Sequence, residues 1–237
     1  MTTLRCKWVK MEFSASLDDV SNALYRNRFV ETAKVGYDIV SLNHDILDAI
    51  YIEKITLNEK IVYPNGEENF LEYERYSYIK FSLRKIKSNI YILKIEDAPK
   101  SLGGFFNSFK SALGISLSIE AIKIDILYLV KIIMKNNDFS QVKISQVKVS
   151  GIKINNESSA KIEVNSISNA LDDFQIKYKN KDFLLDSAKV LFKYDRHQVV
   201  IELKKSGVTV NSPKVLYVIE NDIIDAFLSE NESEAEN

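Results

Sequence analysis

The stretch Asp182–Lys205, DFLLDSAKVLFKYDRHQVVIELKK, decides the fold class. Two apolar runs, 183–194 and 197–205, flank Asp195-Arg196-His197, polar residues placed where a hairpin would turn. Working outward, strands are expected at 159–165 and 174–179 upstream and at 207–218 downstream. A short helix near 221–228 and an acidic, disordered tail over 229–237 should follow. Residues 142–156 write one pentad three times: VKISQ, VKVSG, IKINN. Five is odd, so an unbroken strand would turn each successive copy to the opposite face. A bulge or turn is therefore expected near Ser145-Gln146 and another at Ser150-Gly151.

The first half reads the same way. Residues 4–13 alternate around Leu4, Cys6 and Trp8, and Ser16 with Asp19 forms a shortened capping box before a helix over 17–27. A strand-rich stretch over 47–63 ends at the turn Tyr63-Pro64-Asn65-Gly66. Residues 70–83 then alternate, with Tyr76, Tyr78 and Lys80 on one face and Ser77, Ile79, Phe81 and Leu83 on the other. A turn at 87–89 leads to a partner strand at 90–95. Asp97 is placed to cap a helix with Pro99 in its first turn and Gly114 as its left-handed stop. Leu102, Phe105, Phe106, Phe109 and Leu113 form one apolar stripe along it, suited to covering a sheet. Residues 115–124 read as extended, and Asp125 caps an apolar helix to about Lys135. Strands in hairpin order with few helices predict an α+β protein, a largely antiparallel sheet or sheets of hairpins with a few covering helices. It is expected as one domain over 1–228 or two closely packed subdomains, the weakest seam lying near 136–140.

Composition excludes several classes. The chain has 237 residues, 46% of them apolar, with only 7 Gly and 3 Pro, unlike disordered, collagen-like or low-complexity chains. The one cysteine, Cys6, can form no internal disulfide and suits a reducing compartment. His44 and His197 are the only histidines, too few for a Cys/His zinc site. Each reads as a loop or turn residue, and Cys6 as a buried apolar one. The first residues, MTTLRCKWVKMEF, are charged throughout and do not read as a leader. The most apolar window, 115–134, is broken by Glu120, Lys123, Asp125 and Lys131, so no membrane span is expected. A cytoplasmic protein is the expectation.

The net charge of −1 hides an asymmetry. Residues 78–161 hold 14 basic and 6 acidic side chains, a net of +8, between flanks of −4 and −5. If Lys80, Arg84, Lys85, Lys87, Lys94, Lys143, Lys148 and Lys153 share a face or rim, they form a polyanion-binding surface. Tyr76, Tyr78 and Tyr91 are candidates to stack on bases. The competing view is that exposed strand lysines only keep edges solvated.

One spacing suggests chemistry. Asp186 precedes Glu202-Leu203-Lys204 by sixteen residues, an Asp on one strand and Glu-x-Lys on the next. Over residues 182–205 this resembles the core of restriction-endonuclease-like nucleases. The resemblance implies that Asp186 and Glu202 would hold Mg²⁺ while Lys204 orients or activates water, with Asp182 as the competing first acid. That family usually continues with an amphipathic helix, whereas SGVTVN, 206–211, reads as turn and strand. The simpler view is that Glu202 and Lys204 alternate on the solvent face of an ordinary strand. Asp18-Asp19 and Asp172-Asp173 read as helix starts, where the dipole favours carboxylates.

The leading expectation is therefore a non-catalytic binding protein that engages DNA or RNA through its basic centre and needs no cofactor. The alternatives are a metal-dependent nuclease using Asp186, Glu202 and Lys204, or an interaction subunit of a multi-component complex, of host-defence or mobile-element type. In that last case the Phe-rich helix or a sheet edge would be the contact. A homodimer or other protein partner is compatible with each.

Overall fold

A computed structural model describes residues 3–155, 157–179 and 181–235, with side chains described as far as Asp225. Among the described residues, eleven strands and five helices give an α+β fold with a large antiparallel sheet. The chain divides into two compact units, Val9–Glu120, and Met1–Trp8 together with Ala121–Asn237. Strand β1 (Leu4–Glu12) contributes residues to both. Residues 136–140 connect a helix to a strand within the second of these units.

In the Val9–Glu120 unit the order is β2 (Val35–Leu42), β3 (Ile46–Val62), β4 (Glu68–Lys85), β5 (Ile90–Glu96), then β1, with β6 (Ser118–Ala121) also pairing β1. Helix α1 (Leu17–Arg26) carries the expected capping box, the Ser16 hydroxyl accepting from the Asp19 N–H at 3.1 Å. Helix α2 (Gly103–Leu113) lays its stripe on the sheet and stops at Gly114, φ 66°. It starts later than Asp97 suggested. Asp97 takes φ 44° in a turn, and Leu102 stands at the cap without a side-chain hydrogen bond. The core is aromatic: Tyr37, Tyr51, Phe81, Phe105 and Phe109 are buried, with Phe81 and Phe105 ring centroids 5.2 Å apart. Phe105 and Phe109 are thus spent inside this unit, which removes them as a contact for another protein. Strand β2 has no counterpart in the sequence reading, because a register shift between Ile39 and Ser41 breaks its alternation.

In the other unit the order is β1, β11 (Gly207–Val210), β10 (His197–Lys204), β9 (Leu184–Tyr194), β7 (Ser140–Lys153), β8 (Ser159–Asn165). The β9–β10 hairpin matches the expected pair and turns at Asp195 and Arg196, both at positive φ. Helix α3 (Ile126–Lys135) is capped by Asp125 and packs on β9, and α4 (Ala170–Lys177) packs on β7 and β8. Helix α5 (Pro213–Ala235) packs on α3 and β11.

Two strand expectations need correcting. Residues 174–179 fall in and just after α4, because Asn169 accepts from the Leu171 and Asp172 N–H groups and Asp172-Asp173 occupy the first turn. The strand expected over 207–218 ends at Val210, and Pro213 opens α5, where its missing N–H costs nothing. The backbone of α5 continues through most of the segment whose composition reads as an acidic tail; Glu236 and Asn237 lie outside the described residues.

Glycine is required where β11 begins. Gly207 has φ 152°, and a Cβ there would stand 2.3 Å from the Cys6 carbonyl oxygen. Only a residue without a side chain lets β1 and β11 approach this closely.

Candidate nucleic-acid interface

The pentad repeat builds the site. Lys143, Lys148 and Lys153 each take the second position of a pentad, five residues apart. Strand β7 absorbs one extra residue between each pair. Pairing to β9 steps from Ile144↔Val190 to Gln146↔Lys189, leaving Ser145 over, and pairing to β8 steps from Val149↔Ile162 to Ile152↔Ala160 across Ser150-Gly151. Gly151 sits at φ 76°, which suits glycine. Five residues less one is an even step, so all three lysines emerge exposed on one face. Ile144, Val147, Val149 and Ile152 stay buried on the other.

Neighbouring strands add cations to that face. One row across the sheet runs Glu163, Lys148, Ser187, Lys204, and the next runs Asn165, Gln146, Lys189, Glu202, Thr209. Lys143 lies opposite Leu191, and Lys193 opposite Gln198. Seven lysines, 143, 148, 153, 161, 189, 193 and 204, thus share one side of the sheet with Glu163 and Glu202. Neighbours within a row stand about 4.8 Å apart and rows about 6.7 Å apart. A cavity of about 260 Å³ opens among Gln141, Lys143, Leu191, Phe192, Lys193 and Gln198.

Two of these lysines have carboxylate partners. Lys148 Nζ lies 3.0 Å from Glu163 Oε2, and Lys204 Nζ lies 2.9 Å from Glu202 Oε1. Gln146 Nε2 donates to Glu163 Oε1 and to Asn165 Oδ1, both at 2.8 Å. The hydrogen bond from Lys148, reinforced by the charges of Lys148 and Lys189, holds the Glu163 carboxyl below its ordinary value. Lys143 Nζ donates to the Ile167 carbonyl at 3.4 Å.

The remaining expected residues belong to the Val9–Glu120 unit. Tyr78, 61% exposed, Lys80, Arg84 and Lys94 share the side of the sheet away from Phe81 and Leu83. This side is mixed in charge. Lys80 lies opposite Glu96, and Asp48 accepts hydrogen bonds from Ser82 and, at 2.7 Å, from Ser41. Lys94 is buried, 6% exposed, and so presents little to a ligand in solution. Lys85 alternates to the opposite side and Lys87 sits in the β4–β5 turn. Tyr91 is buried and stacked on Phe13 at 4.3 Å, which removes it as a platform for bases. The lysines expected to form one patch therefore fall into two groups, one in each unit.

The residues of the nuclease-like spacing lie at the β7–β9–β10 pairing. Asp186 is the extra residue of β9, where pairing steps from Lys148↔Ser187 to Val149↔Leu185, and its carboxylate is 3.6 Å from Lys205 Nζ. Glu202 stands opposite Lys189 and Thr209 and pairs with Lys204. Each carboxylate sits against a lysine of its own. Among the described residues no group of three His, Cys, Asp or Glu side chains is arranged to hold a metal ion. Strand β11, not a helix, follows Glu-x-Lys. His197 Nδ1 is 2.7 Å from the Asp195 carbonyl oxygen in the hairpin turn, His44 is exposed beside Asp45, and Cys6 is buried.

Sequence reasoning missed Lys161 in β8 and Lys189 and Lys193 in β9. The signal for the last two was the even spacing of four within one strand, which sends both to a single face. Among the described residues no helix is long and apolar enough to cross a membrane. No protein-family model matches the chain, and no curated protein matches it.

Proposed function

We propose that the protein binds nucleic acid without catalysing a reaction, holding the phosphate backbone on the lysine-bearing face of the β7–β10 sheet. The observation that supports this most is the meeting of seven lysines on one face, three of them delivered by one bulge per pentad. Lysine is a mobile point charge with three donors, suited to phosphate oxygens and poor at reading base edges. Affinity then comes mainly from counterion release, and sequence preference is modest. As the one cysteine of the sequence, Cys6 can form no internal disulfide, which suits a reducing, cytoplasmic setting.

The test is binding of labelled duplex and single-stranded oligonucleotides followed by anisotropy from about 50 to 200 mM salt. The logarithm of affinity should fall linearly with the logarithm of salt, with a slope of about −4 to −5 on duplex DNA. No binding at low salt, or a flat slope, removes the proposal. Mg²⁺ added to the same samples tests the nuclease alternative. Cleavage that disappears in a folded Glu202→Ala protein would replace binding alone with metal-dependent hydrolysis.

A further inference from the structure

Strands β3 and β4 pair along their whole length, from Ile46↔Arg84 to Val62↔Glu68, but their neighbours stop early. Strand β2 pairs β3 only as far as Glu53, and β5 pairs β4 only from Lys80. From Ile55 outward the two strands run on as an arm, reaching about 25 Å at 3.3 Å per residue. Two strands alone are marginal in water; stability needs a third strand or a packed apolar face.

This arm has such a face. Its odd-numbered residues continue the core side of the sheet: after the buried Leu47, Ala49 and Tyr51 come Ile55, Leu57 and Ile61. From β4 the same face receives Leu71, 48% exposed, and Tyr73, 41% exposed. The even-numbered face is tied by ion pairs instead, Lys54–Glu74 at 2.9 Å and Lys60–Glu68 at 2.6 Å.

Charge selects the occupant. Residues 53–75 hold six acidic and three basic side chains, a net of −3, which repels a phosphate backbone and favours a protein. Between the pairs Ile55↔Arg75 and Ile61↔Asn69 the apolar face carries just two charges, Arg75 near the base and Glu59 toward the tip. That distribution is self-complementary.

We propose that the arm is a homodimerisation device, two copies packing their odd-numbered faces together, tip to base, as a four-stranded sandwich. In this arrangement Glu59 lies at the end of the stripe that holds the partner's Arg75. Tip to tip, Glu59 would face the partner's Leu71 and Arg75 the partner's Ile55, leaving both charges against apolar side chains. Four strands around a shared apolar layer supply what one arm lacks.

Sedimentation of the full chain from about 1 to 100 µM reads the state directly, since a dimer is concentration-dependent. The expected result is a dimer that Leu71→Lys/Tyr73→Lys makes monomeric, while Phe70→Ser, on the even-numbered face, leaves it intact. Glu59→Arg or Arg75→Glu alone should weaken the dimer about tenfold, and the two together should restore it. A wild-type monomer at every concentration overturns the proposal. So does a dimer indifferent to Leu71→Lys/Tyr73→Lys, or a double reversal that fails to rescue.

Discussion

The two units follow one plan, an antiparallel ladder with helices on one side, yet they use their sheets differently. The Val9–Glu120 unit fills its core with rings, and on its other side sets Tyr78 and Lys80 among Asp48 and Glu96. The β7–β10 sheet has a mainly aliphatic core, Ile144, Val147, Val190, Ile201 and Leu203, and an open side on which lysine predominates. The difference lies in parity. In β4 strict alternation keeps tyrosines and lysines in a mixed column, whereas in β7 a bulge per pentad returns each lysine to the same side. Local backbone irregularity, rather than extra lysine, concentrates the charge.

The largest expected difference between the two units lies in their cores. Phe109→Ala empties a fully buried position in the ring cluster and should cost about 3–5 kcal/mol, against about 0.5–1.5 kcal/mol for Ile201→Val in the other unit. Denaturant unfolding followed by hydrogen exchange measures both. Equal loss of protection in the two units on Phe109→Ala would show that their cores do not behave separately. Next in size is binding. Lys143→Ala/Lys153→Ala/Lys193→Ala should lower oligonucleotide affinity about a hundredfold at low salt and flatten the salt slope by about 3. Lys80→Ala/Arg84→Ala/Lys85→Ala, in the mixed-charge unit, should cost less than about tenfold. A reversed order would move the interface to the other sheet.

A smaller effect comes from pH. Burial, with Glu53 nearby, pushes the Tyr51 phenol up to about 12. Above pH 10 the unfolded chain loses this proton while the folded one keeps it, so stability is full below pH 10 and falls as pH rises through the folded value. The loss should reach up to about 1 kcal/mol and be absent in Tyr51→Phe, read as the alkaline shift in melting temperature. The smallest change has the opposite sign. Glu163→Gln removes a carboxylate from the lysine face and frees Lys148, so affinity should rise about two- to fivefold. Unchanged affinity would place Lys148 outside the contact.

Much of the fold was legible locally. The capping box at Ser16, the turn at Tyr63–Gly66, the Gly114 stop and the 182–205 hairpin each lie within a few residues of chain and follow from local backbone preference. The β7 shifts at Ser145 and at Ser150-Gly151 were legible as well, because an odd repeat cannot keep one face buried without them; the shift between Ser140 and Lys143 lies before the first full pentad step and left no such signal. Residues 174–179 misled because FQIKYK alternates like a strand, while the Asn169 cap and the Asp172-Asp173 turn upstream of it favour helix. Lys94 and Tyr91 misled because residue type alone does not report burial: one is covered on its sheet face, the other stacked on Phe13.

By itself, then, the sequence determined the periodicities: which runs are strands, where they turn, and that each pentad must shed a residue to keep its lysine outward. Tertiary structure alone decided which strands stand side by side, and so that Lys189, Lys193 and Lys204 join Lys143, Lys148 and Lys153 while Lys80 and Arg84 lie in a different unit. The reason is physical. Alternation is written into each strand by backbone geometry, whereas pairing is settled by burial of side chains far apart along the chain, which no local pattern records.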